Sequence, residues 1–202
     1  MLFKLLLSQP IIFLFVITAL VICISLHEFA HAYIADKLGD NTPRLLGRVT
    51  LNPLAHLDPL GTLLLIVAGF GWGKPVPFNP INLKHPKRDS ALIAFAGPLS
   101  NFVLASTLGL LLHLIGQGQP VLYGFLYLTI FYNIVLGVFN LIPIHPLDGF
   151  KVVAGLLPTS LYLQWMQMQG YGTLILLFLV FTRSINVVVE PIINIFMNLL
   201  GL

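Results

Sequence analysis

From Ile11 to Leu26 the chain carries no charged residue, and the apolar stretch around this segment reaches from Leu5 to about Ala35. About 20 apolar residues cross a bilayer as a helix, so this stretch commits the fold to lipid. A secretory signal peptide is the competing explanation, because Lys4 precedes the stretch and Ala30-His31-Ala32 imitates a cleavage site. The run is too long for that, and His27, Glu28 and His31 occupy the region where cleavage would fall. Across all 202 residues 57% are hydrophobic and only 8% are charged, with a mean hydropathy of +0.95. Ordinary soluble domains carry roughly 25% charged residues. A water-facing globular enzyme and a disordered tail are both excluded. The net charge of +3 and the pI near 9.1 come from basic residues in loops between apolar runs. There they set membrane orientation, and no nucleic-acid partner is expected. The single cysteine, Cys23, rules out an intrachain disulfide.

Three further apolar runs follow, Ala91 to Ile115, Val121 to Ile142 and Leu161 to Phe181, and a last one, Ile185 to Leu202, is interrupted by Glu190-Pro191. Glu190-Pro191 predicts a kinked span or an interfacial helix there. Residues 36 to 58 are polar and rich in turn signals, and residues 60 to 71 are apolar but too short to cross. Arg48-Val49-Thr50-Leu51 reads as a short strand, and the proline-punctuated stretch from Trp72 to Phe78 as a strand edge or extended loop. The expected fold is an all-α polytopic membrane protein: a helical bundle of about five to six spans or partial spans with a small membrane-associated β element. All of residues 1–202 form one domain, without repeats.

His27-Glu28-Phe29-Ala30-His31 has the pattern H-E-x-x-H. On a helix, residues four apart share a face, so both imidazoles reach one metal and the glutamate lies beside its water. Ionisable groups within an apolar helix are costly unless paired, neutralised or metal-bound. Catalytic zinc usually takes three protein ligands and keeps one position open. Candidates for the third are Asp148, His56, His145 and Asp58. Asp148 follows a span whose end is broken by Pro143 and Pro146, where a carboxylate is costly without a cation; capping of the next helix is its alternative role. Gly97-Pro98-Leu99-Ser100-Asn101 supplies small residues for close helix approach and an amide for an interhelical hydrogen bond.

H-E-x-x-H in one span, G-P-x-x-N in another and N-x-x-P-x-x-P-L-D-G in a third, in this order, resemble the site-2 protease family. These are intramembrane zinc metalloproteases that cut substrates within or beside transmembrane helices. The resemblance covers roughly residues 20 to 155. It implies one Zn2+ per chain held by His27, His31 and Asp148, with Glu28 as catalytic base. It also implies that Asn140 holds the substrate or a developing oxyanion, with Asn101 as a second amide available for that task. The implied partners are the lipid bilayer and a transmembrane protein or peptide substrate. No part of the chain corresponds to the PDZ or CBS domains of many relatives, so it resembles a minimal form.

For the three motifs to meet, the spans that carry them must alternate in direction, and residues 36 to 90 must start and finish on one side. Lys37, Arg44, Arg48, Lys74, Lys84, Lys87, Arg88 and Lys151 then share that side, leaving Lys4 and Arg183 for the other. The excess predicts a metal-site end facing the cytoplasm of the cell membrane. Cys23, one turn before His27, could face the metal, although packing is its plainer role. His56 and His145 could support the ligands, His85 and His113 carry no pattern, and Trp72, Tyr123, Tyr127 and Trp165 suit an interfacial belt. The alternative to a protease is a zinc-binding membrane scaffold or a metal transporter, and a transporter would need further polar ligands staged along a path.

Overall fold

The computed structural model describes residues 2–68 and 71–202. Ten α-helices are found among the described residues: α1 (Leu2–Ser8), α2 (Pro10–Lys37), α3 (Thr42–Leu45), α4 (Pro59–Ala68), α5 (Pro86–Ile115), α6 (Pro120–Asn140), α7 (Asp148–Leu156), α8 (Thr159–Gln167), α9 (Gln169–Phe181) and α10 (Asn186–Leu199). Proline opens α2, α4, α5 and α6, where its fixed φ suits the first turn and its missing N–H leaves no bond unmade. Pro10 also separates α1 from α2, so the first span starts later than the apolar run.

Helices α2, α5 and α6 are long and apolar enough to cross a membrane. At 28, 30 and 21 residues they extend about 42, 45 and 32 Å at about 1.5 Å per residue. Paired positions fix their directions. Cys23 and His27 lie against Asn101, and His31 lies against Ile93, so α2 and α5 are antiparallel. Phe15 meets Phe125 and Cys23 meets Thr129, so α6 runs parallel to α2. Buried Ala19, Ala32, Ala94, Ala105 and Gly109 let these backbones close up, which is how helices associate where lipid offers no hydrophobic gradient. Ile130, Ile134, Leu112 and Met197 centre the larger core among α5, α6, α9 and α10.

The run from Leu161 to Phe181 is not one span. It divides at Met168 into α8 and α9, because Gln164, Gln167 and Gln169 make its first half polar. With α10, α9 forms a broken candidate span bent by 77°. The bend falls at 182–185, where Arg183 adopts φ 59 and ends α9, whereas α10 continues through Pro191. The expected β element does not form among the described residues: a single antiparallel bridge, Leu57 to Gly73, stands in its place. Pro75 and Pro77 lack the N–H groups a ladder needs. Helix α4 has 10 residues, and the chain is back beside Leu57 by Gly73, so this piece starts and finishes at one end. Gly69 and Phe70, at the end of the short apolar run, lie outside the described residues.

Candidate metal centre

One turn apart near the C-terminal end of α2, His27 and His31 face α5, and Asp148 at the start of α7 closes the cluster. The three side chains are largely buried, exposing 5%, 9% and 18% of their surfaces. Asp148 Oδ2 is 3.1 Å from His27 Nε2 and 3.2 Å from His31 Nε2, and the two Nε2 atoms are 3.0 Å apart. A tetrahedral zinc with bonds of about 2.0–2.1 Å sets its ligand atoms about 3.3–3.4 Å apart. The triangle therefore fits zinc after an adjustment of a few tenths of an ångström.

What lies behind the rings turns an Nε2 of each towards the cluster. His31 Nδ1 is 2.7 Å from the Ile93 carbonyl, which can only accept, so the proton sits on Nδ1 and the Nε2 lone pair faces the cluster. His27 Nδ1 is 2.7 Å from Asn101 Oδ1, which gives the same tautomer. Such outer bonds fix ring orientation and raise ligand basicity. Asn101 is fully buried with its amide nitrogen on Cys23 O and Asn133 Oδ1, so its side chain serves the ring.

Backbone approaches complete the cluster. A Cβ on Gly97 would lie 2.4 Å from His31 Nε2 and 2.7 Å from His27 Cε1, so only glycine lets α5 wall the two rings. A Cβ on Gly149 would lie 2.2 Å from the Leu141 carbonyl, so the tight return from α6 that delivers Asp148 also depends on glycine.

Half-buried Glu28 lies against an extended strap, residues 71–79, and its Oε2 accepts from the Val76 N–H at 3.1 Å. The strap is pinned along its length. Lys74 N–H donates to His56 O, the Arg48 guanidinium donates to Lys74 O, Lys151 sits 4.7 Å over the Phe78 ring, and Asn79 N–H donates to Asp40. The N–H groups of Lys74, Val76 and Asn79 are thus committed to this chain.

The remaining sequence candidates lie elsewhere. Asn140 turns its amide back to Leu136 O at 3.0 Å. His56 is buried with Nε2 on Thr50 O, Asp58 caps α4 through Gly61 N–H, and His145 Nε2 faces Gln169. The Cys23 thiol points to Thr129 O, away from the cluster. Asn133 was missed by motif reading. Its signal was a carboxamide midway along an apolar span, which lipid does not tolerate without a partner.

The profile of Peptidase family M50 matches residues 117–182, a segment holding α6 to α9 and Asp148. YwhC of Bacillus subtilis, named as a candidate zinc metalloprotease, is 38% identical over 188 residues, covering 89% of this chain and 86% of its own. Rip2 of Mycolicibacterium smegmatis, named in the same way, is 31% identical over 187 residues, 89% of this chain and 71% of its own. Zinc metalloprotease MJ0392 of Methanocaldococcus jannaschii is 29% identical over 145 residues, 68% of this chain and 33% of its own. No solved structure matches the chain.

Proposed function

This chain belongs to Peptidase family M50, the site-2 protease family, and is a zinc metalloprotease, and from that premise we propose that it hydrolyses peptide bonds within or beside the transmembrane segments of membrane-protein substrates. His27, His31 and Asp148 hold the zinc in this reading. The observation that carries it is the triangle of three donor atoms, 3.0 to 3.2 Å on a side, at the end of helices apolar enough to cross a membrane. Zinc bound there supplies Lewis-acid chemistry, acidifying a water and polarising a carbonyl.

Glu28 takes the proton of the attacking water and returns it to the departing amine. The Val76 N–H on Oε2 steers the carboxylate and leaves Oε1 for that transfer. Asn140, the last residue of α6, holds the substrate in this reading, for which its amide must leave Leu136 O. Asn101 is reassigned from the substrate to His27. The protein acts as one transmembrane domain in the cell membrane with its metal-site end in the cytoplasm. The described residues contain one cluster of three metal-ligating side chains, which argues against a staged transit path for zinc.

Glu28→Gln tests the mechanism. The variant, purified whole and reconstituted with a transmembrane peptide, should keep about one zinc per chain and lose cleavage by at least about 100-fold, the scale of general-base catalysis. Turnover near wild type would refute the role of Glu28, and loss of zinc from Asp148→Asn is expected alongside.

A further inference from the structure

Behind His27 a chain of amides crosses from α2 through α5 to α6 and ends on Asn133. Asn133 is fully buried, and both ends of its carboxamide are engaged. Its nitrogen donates to Thr129 O at 2.8 Å, and its oxygen accepts from Asn101 Nδ2 at 2.8 Å. Asn101 Nδ2 also donates to Cys23 O at 3.2 Å, and Asn101 Oδ1 meets His27 Nδ1 at 2.7 Å.

The polarity of this chain is set by two backbone carbonyls, Thr129 O at its far end and Cys23 O beside Asn101. A backbone carbonyl only accepts, so Thr129 O fixes which end of Asn133 is nitrogen and presents the oxygen to Asn101. Both hydrogens of the Asn101 amide are then committed, to Asn133 Oδ1 and Cys23 O, and only its oxygen is left for the ring. A flipped Asn101 would offer N–H to Nδ1, require the proton on Nε2 and remove the lone pair that faces Asp148.

We propose that Asn133 is a positioning residue for the metal centre: by holding Asn101 in one orientation it fixes the His27 tautomer and so sets the affinity for zinc. This rests on the reading of His27 as a ligand. The nearest contact in the chain belongs to Asn101, and Asn133 acts on the ring only through it.

The test measures zinc dissociation by chelator competition on the full-length protein in detergent, with the d–d spectrum of the cobalt-substituted form as a second readout. Asn133→Leu, similar in volume but without polar atoms, should weaken zinc binding about 10- to 100-fold, the range for lost outer partners of metal-bound histidines, and should alter the cobalt spectrum. Asn133→Asp, a neutral carboxylic acid when buried here, offers the same donor and acceptor and should restore both. Thr129→Val keeps the carbonyl that anchors the chain and removes only a buried hydroxyl, whose bond runs to Phe125 O, so it should bind zinc like wild type. Should Asn133→Leu fail to fold, Asn133→Ser carries the same expectation of weakened binding, since its shorter side chain cannot bridge Asn101 and Thr129. Wild-type affinity in a folded Asn133→Leu or Asn133→Ser, or equal weakening in Thr129→Val, overturns the proposal. His27→Ala separates the two readings: zinc retained there sinks the ligand assignment itself, whereas zinc lost there but kept in Asn133→Leu sinks only the relay.

Discussion

The site rests on single atoms more than on bulk packing. Gly97 is the sharpest case, since one added methyl would sit inside the contact distance of both imidazoles. Gly97→Ala should push α5 from α2 and reduce zinc to well below one per chain, measured by metal analysis beside helicity; full zinc occupancy would show that the rings can yield. The meeting of His27 and His31 was legible in the sequence because a helix turns their spacing into a shared face. Asp148 was legible as one of several candidates, since only the fold brings a residue 121 positions away to His27. Asn133 and the Ile93 carbonyl were not legible. One looks like an isolated polar residue in a span, and the other is backbone, which no motif records.

Among the elements, the strap shows where local reading and tertiary context part. Its prolines suit a strand edge or an extended loop, and the chain takes the extended form without a ladder, its bonds going to Glu28, His56, Arg48 and Asp40. Asp40 is the anchor at its C-terminal end. Fully buried, it accepts from Thr42 N–H and Oγ1, Asn79 N–H and Asn82 Nδ2. Burial raises its pKa, but these bonds outweigh burial and hold the carboxyl below its ordinary value. The sign follows from a depressed folded pKa: the contribution is present above the unfolded value of about 3.9 and is lost as pH falls through the folded one. Asp40→Ala should destabilise the protein by roughly 2–3 kcal/mol near neutral pH, and the gap from wild type should narrow below about pH 4. Thermal unfolding in detergent across that range checks this, and a gap independent of pH would contradict the ionised anchor. The three long helices were readable from apolar length alone, whereas the division at Met168 turned on three glutamines that a hydropathy average conceals.

For the molecule as a whole, sidedness is the leading consequence of its charges. Lys37, Arg44, Arg48, Lys74, Lys84, Lys87, Arg88 and Lys151 are carried by the metal-site ends of α2, α5 and α7 and the loops between them. By the positive-inside rule this excess supports the proposed placement of that end in the cytoplasm. In intact cells an impermeant maleimide should label Gln119→Cys, in the turn between α5 and α6 at the opposite end, and spare Lys84→Cys; the reverse pattern would invert the proposed topology. The backbone wall at Gly97 has a different outcome. With α5 sealing one flank, and Asn101 and Ile93 backing the rings, approach to the cluster is expected past Glu28 and the strap. Inhibitors that grasp metals will be sorted by girth before they are sorted by grip. A slender hydroxamate should reach the ion sooner than a bulky chelator of greater strength, and stopped-flow stripping rates would rank them by cross-section.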